Sequence, residues 1–470
     1  MSLNINSWQD IPWLTVEQTV FRLQLRIYKA SAKGKHEKMY KLQKLLISSY
    51  HAKYYAVRKV TQENIGKKTL SIDNVLMKTK TKRLALANRL TLDGKVMPIL
   101  RQYIPQQDDN QCSLTISIIE DHCKQMLAYL ALSPQWKAKF EEHDYGFKAD
   151  RSMLNAIQGI CLGIKRKPKW VLDVDIQQCF PTISHDSLLD KCKTYSRIRK
   201  QIRAWLKAGI MEDGYYLISK MSKPTGSVIS TLLAQIALHG LRYKLDTYLN
   251  RIAGFQKAFG CSLTYVRYAD DFLFMHYDRK VLEKVCQITF TFLKPLGLEL
   301  NPIKTRIVHT LKNAADGTPP GFFFLACKIF QRKQRVRKYG MDTKGFSKRD
   351  YVTFIKHSSN RIDVYRKKLR ETIRRYTGVK QEILIYRLNP LIRGWVSSKQ
   401  TQISSKNFQA LDSYVYKHLW NWARRRHPKM SKYKLKALYW HILGNNFWVF
   451  GVKKDKEIKL QIQKHSKINI

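Results

Sequence analysis

The 470-residue chain has no paired cysteines: its 8 Cys stand singly, with no Cys-x-x-Cys anywhere. That excludes both a disulfide framework and the ligand spacing of a zinc site, and it points to a reducing compartment. Acid is scarce too, with 35 Asp and Glu against 86 Lys and Arg, a formal net charge of +51. Such an excess cannot be neutralised within the chain, so a polyanionic partner is expected, nucleic acid first. No apolar run reaches the ~18 residues of a spanning helix, which sets a membrane aside as partner. Met1 to Trp13 has no basic stretch followed by an apolar one, and Asp10 and Glu17 are acids that transit peptides avoid. A soluble protein without a targeting peptide is the expectation. What is present is material for a core: hydrophobic residues make up 44% and aromatics 11%, enough to offset ordering entropy in two or three domains.

The stretch Tyr268-Ala269-Asp270-Asp271 lies between Leu263–Arg267 and Phe272–Tyr277, both rich in β-branched and aromatic residues. This predicts a hairpin with two acids at its turn. Adjacent carboxylates repel one another and persist where a divalent cation neutralises them. A second source of carboxylate is then expected, and Trp170–Ile176 supplies it. Its alternation as a strand puts Asp173 and Asp175 on one side and Leu172 and Val174 on the other, facing the core. Asp186 and Asp190 follow in a helix, where capping or surface charge accounts for them.

Elsewhere Val16, Val20, Leu23 and Ile27 trace one helix, and Leu42, Leu45 and Leu46 a second. Their other faces carry Arg22, Arg26, Lys29, Lys33, Lys35 and Lys38 with few acids to pair them, which favours phosphate binding. Residues 61 to 95 read as a polar connector holding Lys67 and Lys68. Strands are expected from Ile99 to Ile119 around a turn at residues 106–110, then a helix from Glu120 to Phe140. The loop Ser222–Val228 opens a helix reaching Leu241. Leu296-Gly297-Leu298 leads through a short strand to Lys304, and a Phe-rich strand runs from Phe322. Beyond Gln331 the chain grows more basic, and Ile362, Tyr365, Leu369 and Ile373 form a helical stripe. Leu411, Val415 and Leu419 read as core, and Arg424-Arg425-Arg426-His427-Pro428-Lys429 as a candidate RNA contact.

The order of these blocks resembles the group II intron-encoded reverse transcriptase/maturase family across nearly the whole chain. Asp175 in a strand, a Pro-x-Gly loop before a helix, Tyr-Ala-Asp-Asp in a hairpin and Leu-Gly-Leu followed by a lysine resemble its palm. Trp8 to Trp13, Val20–Gln24, Ala56-Val57-Arg58 and Val60–Asn64 resemble its N-terminal RNA-binding extension, and Tyr145-Gly146-Phe147-Lys148 its fingers-to-palm block. Leu388-Asn389-Pro390 with Arg393-Gly394-Trp395, and Trp420-x-Trp422-Ala423 with Arg425–Pro428, are similar to the maturase-specific domain. The fold so implied is α+β, a right-hand polymerase. Its parts are a basic helical N-terminal extension over residues 1–90 and fingers and palm over 91–330. A helical thumb over 331–385 and a maturase-specific RNA-binding domain over 386–470 follow, without HNH nuclease cysteines.

The resemblance implies that Asp175, Asp270 and Asp271, with Ile176, hold two Mg²⁺ ions, Asp173 being the runner-up for the first ligand. Phe180, Ile176 and Gly226 would face the deoxynucleoside triphosphate, and Lys304 would be a proton donor near it. RNA contacts would fall on Arg22, Arg26, Lys29, Arg58, Lys67, Lys68, Arg393, Arg424, Arg425, Arg426 and Lys429. The chain departs from the family pattern at several points. Pro224-Thr225-Gly226-Ser227 replaces Pro-Gln-Gly-Gly, Thr231 replaces a proline and Gln177 a lysine. Cys112–Ser117 replaces the basic clamp on the triphosphate, whose loss weakens nucleotide addition. The function placed first is that of a maturase that binds group II intron RNA and promotes its splicing; the alternative is an RNA-directed DNA polymerase serving intron mobility at a DNA target. An organellar (chloroplast or mitochondrial) or bacterial setting suits either.

Overall fold

The computed structural model describes residues 7–63, 79–105, 111–146, 151–165, 167–177, 183–212, 215–217, 228–251, 263–313, 317–325, 327–333, 351–357, 359–397, 405–443, 447–454 and 457–467. The three-and-four spacing of Val16, Val20, Leu23 and Ile27 forms the buried face of α1 (Trp13–Ala32), as a 3.6-residue period requires. In α2 (His36–Ser48) the buried face is Met39, Leu42, Gln43, Leu46 and Ile47. Leu45, expected on that face, is 51% exposed, because it stands about 100° round the helix from Leu46. α3 (Tyr50–Arg58) follows.

The stretch read as a polar connector instead contains α4 (Lys80–Arg89), started by the Thr79 hydroxyl accepting from the Lys82 amide. Its polar composition hid a narrow packing face. Leu86, Ala87 and Leu90 are buried, and Tyr54 donates to Asn88 Oδ1 at 3.1 Å. β1 (Ile99–Pro105) and β2 (Gln111–Ile116) pair antiparallel as expected.

α5 (Ile119–Lys137) is the spine on which the N-terminal helices rest. Gln24 donates to the Leu130 carbonyl at 2.9 Å, Ser31 to that of Gln135 at 2.8 Å, and Gln43 to Gln135 Oε1 at 2.7 Å. Gln135 in turn donates to the Cys192 carbonyl at 3.1 Å. This buried polar chain is closed at each step, which is what makes it tolerable in a core.

α6 (Met153–Ile164), β3 (Trp170–Val174) and β4 (Ile176–Gln177) lead to α7 (His185–Cys192) and α8 (Ser196–Leu206). The short strands β5 (Ile210–Glu212) and β6 (Tyr215–Leu217) complete the sheet β2-β1-β5-β6. The single helix expected up to Leu241 is two, α9 (Ser230–Leu238) and α10 (Leu241–Arg251). Gly240 between them has φ +96°, a left-handed conformation that ends a helix.

β7 (Thr264–Tyr268) and β8 (Asp271–His276) form the expected hairpin, followed by α11 (Arg279–Leu293), β9 (Glu299–Leu300) and β10 (Arg306–His309). The second sheet runs β10-β3-β8-β7 and β4 pairs with β9. One core joins residues of the N-terminal helices, α5 and this sheet.

By compactness the chain separates into Met1–Ile307 and Val308–Ile470. The second unit holds β11 (Phe322–Phe324), β12 (Cys327–Lys333) and β13 (Tyr351–His357), an antiparallel meander. It continues in α12 (Ser359–Arg375), α13 (Gln381–Ser397), α14 (Ser405–Arg426) and α15 (Lys432–Tyr439). β14 (Trp440–Leu443), β15 (Phe447–Lys454) and β16 (Glu457–Gln461) close it. Its core gathers Leu369, Leu384, Leu388, Leu411, Leu419 and Trp422, with the expected stripes of α12 and α14 inside. Among the described residues no helix is long and apolar enough to cross a membrane.

Candidate functional site

Val174 in β3 pairs with Phe272 in β8. One step further along each antiparallel strand lies a carboxylate, Asp175 on one side and Asp271 on the other, so the sheet itself brings them level. Tyr268 pairs with Asp271 across the turn, and Ala269 takes φ +60°, a conformation that costs a non-glycine residue energy and must be held by its surroundings.

The segment before α6 does the holding. The amide of Arg267 donates to the His143 carbonyl at 3.1 Å, and the Tyr145 amide to that of Arg267 at 2.8 Å. The Arg267 guanidinium pairs with the Asp144 carboxylate, and both are almost wholly buried. A Cβ on Gly146 would run into the Ala269 backbone nitrogen, so only glycine allows this approach. Gln235 of α9 donates to the Gly146 carbonyl and fastens the segment from behind. Sequence reasoning assigned Tyr145-Gly146 to a block but missed Asp144, Arg267 and Gln235.

A third element completes the cluster. The Asn301 amide donates to the Asp175 carbonyl at 2.9 Å, while Asn301 Oδ1 accepts from the amides of Ile303 at 3.1 Å and Lys304 at 3.3 Å. This Asx-type turn brings Lys304 Nζ to 3.4 Å from Asp175 Oδ2. Arg306 stands 3.8 Å from Asp173 Oδ2.

Burial, then the negative charges of Asp270 and Asp175, push the Asp271 carboxyl up to about 6. Burial also lifts Asp173 to about 7 against the pull of Arg306. Like charges therefore meet here with incomplete compensation. Among the described residues no three His, Cys, Asp or Glu side chains are gathered closely enough to hold a metal ion by themselves. Ile176 is 6% exposed, so its side chain belongs to the core and any contact with a ligand falls to its backbone. Phe180 and Gly226 lie outside the described residues.

The cationic candidates divide. Arg22, Arg26 and Lys29 are exposed on the outer face of α1. Arg58 is not free for RNA as expected. It bonds Glu17 at 3.3 Å and Glu63 at 2.9 Å and lies 4.5 Å from the Trp13 ring centroid, so the neighbouring acids and the aromatic have taken it into the fold. Lys67 and Lys68 lie outside the described residues.

Arg393, Arg424, Arg425 and Lys429 are exposed, but Arg426 is likewise a structural residue. It donates to the Thr377 carbonyl at 3.0 Å and covers the Trp422 ring at 4.8 Å, tying α14 to the end of α12. Arg425 instead joins Arg370, Arg374 and Lys417 around His418. Burial, then those four cations, hold that imidazole below its usual protonation range. A patch of this kind attracts phosphate. Sequence reasoning found its Arg425 but not the partners on α12.

Residues 8–90 match the family model described as the N-terminal domain of reverse transcriptase. Residues 104–359 match that of reverse transcriptase (RNA-dependent DNA polymerase), and 362–440 that of the maturase-specific domain of group II introns. The chain is 26% identical over 312 residues to protein YkfC of Escherichia coli strain K12, an alignment covering 59% of this chain and 80% of that one. It is 26% identical over 244 residues to maturase-like protein 1 of Euglena gracilis, covering 50% of this chain and 52% of the relative. To the group II intron-encoded protein LtrA of Lactococcus lactis subsp. cremoris it is 26% identical over 279 residues, covering 46% and 45%. The chain thus matches about half the length of these last two relatives.

Proposed function

The chain belongs to the group II intron-encoded reverse transcriptase and maturase family, and on that premise we propose that it binds a group II intron RNA and promotes its splicing. The observation that carries this reading is the maturase-specific domain at residues 362–440, directly after the reverse transcriptase domain. The RNA supplies the bond chemistry. The protein's part is to bind the splicing-competent RNA fold more tightly than its competitors, a population shift set by differential affinity. Exposed Arg22, Arg26 and Lys29 on α1, and Arg393, Arg424, Arg425 and Lys429 in the second unit, are the proposed phosphate contacts. The place of action follows the intron, in an organelle or a bacterial cell. The test is splicing of a group II intron transcript at low magnesium with and without the full-length protein. Acceleration by the protein supports the reading, and equal rates refute it.

A second reading, RNA-directed DNA polymerisation, rests on the meeting of Asp175 and Asp271 beside Lys304. Carboxylate oxygens are the hard donors that Mg²⁺ accepts, and phosphate oxygens of a nucleotide would complete its shell. Burial first, and then the repulsion of Asp270 and Asp175, raise Asp271, and a bound cation would offset both. Asp175, Asp270 and Asp271 would hold the ions, with Asp173 braced by Arg306 behind them. Two Mg²⁺ would lower the pKa of a primer 3′-hydroxyl and neutralise the leaving pyrophosphate. Lys304, on its Asx turn, would offer a proton to that pyrophosphate.

A further inference from the structure

The second unit contains a cavity of about 470 Å³ between α14, the β14–β15 hairpin and the segment Ile462–Ser466, a volume within the range of small-ligand sites. Its floor is apolar, built from Val415, Leu419 and Phe450, and two of its aromatics face water: Tyr416 is 47% exposed and Trp448 40%. Lys436 Nζ lies 3.9 Å from the Trp448 ring centroid, and Lys464 stands in the wall. The acid in the wall is already engaged. Asp412 accepts from His465 Nδ1 at 2.7 Å, from the His465 amide at 2.7 Å and from the Ser466 hydroxyl at 2.6 Å. One lining group is left over: Gln463 Oε1 is buried without a hydrogen-bond partner, a state that native structures avoid.

We propose that this cavity receives a single unstacked nucleobase of the RNA, seated against Tyr416 and Trp448 with a base N–H donated to Gln463 Oε1. The proposal rests on the RNA-binding reading above. The ligand must offer a π-face to the aromatics, an N–H to a buried acceptor, and negative charge on either side of the ring for Lys436 and Lys464. A nucleotide within a strand has all three, and sequence-tolerant base stacking on aromatics is how single strands are commonly gripped. An apolar peptide would satisfy only the first of these.

The test uses the full-length chain and a 12-nucleotide single-stranded RNA carrying one central 2-aminopurine, with its annealed duplex as control. The single strand is expected to bind with quenched fluorescence, and the duplex without it. Trp448→Ala is expected to weaken single-strand binding about 5- to 150-fold and restore the fluorescence, the range that loss of one stacked base implies. Gln463→Leu, which spares the aromatics, is expected to weaken it several-fold with an unchanged circular dichroism spectrum. Folded variants that both bind and quench like the parent would overturn the cavity assignment while leaving RNA binding in place. A parent chain that binds neither RNA would remove the underlying reading as well. An apolar peptide that occupies the cavity without competing with RNA would assign it to a protein partner and overturn the proposal.

Discussion

A methyl group in place of the Gly146 hydrogen would overlap the Ala269 backbone and push the turn that carries Asp270 and Asp271. If polymerisation depends on those acids, Gly146→Ala is expected to lower primer extension on an RNA template about 100-fold, the usual consequence of a 1 Å misplacement at a reacting centre. RNA affinity in a filter-binding assay is expected to stay within about twofold, since no proposed phosphate contact moves. Arg267 makes a different demand. Its replacement by Met leaves the fully buried Asp144 carboxylate without its partner. The unit containing Met1–Ile307 is expected to lose about 3–5 kcal/mol, seen as an earlier first transition in a thermal melt. An unshifted melt would mean that the pair is replaceable. Neither residue was identifiable beforehand, because Asp144 and Arg267 are 123 positions apart in the chain and only the folded sheet edge makes them neighbours.

On the proposed reading, helix α1 separates binding from folding along a single element. Its buried face is set by apolar spacing, and its outer face carries Arg22, Arg26 and Lys29 in water. Changing all three to Gln is expected to flatten the slope of log affinity against log salt by about 2, at roughly 0.7 per phosphate on a single strand, with melting unchanged. Arg58→Gln is expected to do the reverse, because its partners Glu17, Glu63 and Trp13 are within the protein. In the second unit the turn Ile462–Ser466 hangs on Asp412. Burial alone would raise that carboxyl, but hydrogen bonds from His465 and Ser466 hold it below its ordinary 3.8. A depressed folded-state pKa contributes stability that is present above about pH 4 and lost as pH falls through the folded value. Asp412→Asn is therefore expected to destabilise at pH 7 by about 1–3 kcal/mol, with the gap to the parent closing on acidification below pH 4. Elements with a strong period, such as α1 and α12, were legible from spacing, and the β7–β8 hairpin from its β-branched and aromatic flanks. The helix α4 was not, since its buried face amounts to little more than Leu86 and Ala87, and propensity yields to packing in such short segments.

On the scale of the molecule, the family was readable because the motif blocks fall in one sequence with consistent spacing. The division between structural and exposed arginines was not, since Arg58 and Arg426 look the same in sequence as Arg22 and Arg425 and differ only in what surrounds them. On the proposed reading, splicing rests on the basic surfaces of both units, and Asp175, Asp270 and Asp271 are dispensable for it. The most direct measurement is the rate at which full-length Asp270→Ala/Asp271→Ala accelerates splicing of a group II intron transcript, alongside its primer extension on an RNA template. The expected splicing rate lies within about threefold of the parent, well inside the ~1.4 kcal/mol that a tenfold change represents, with no primer extension. Loss of splicing in a double variant that melts like the parent would contradict it.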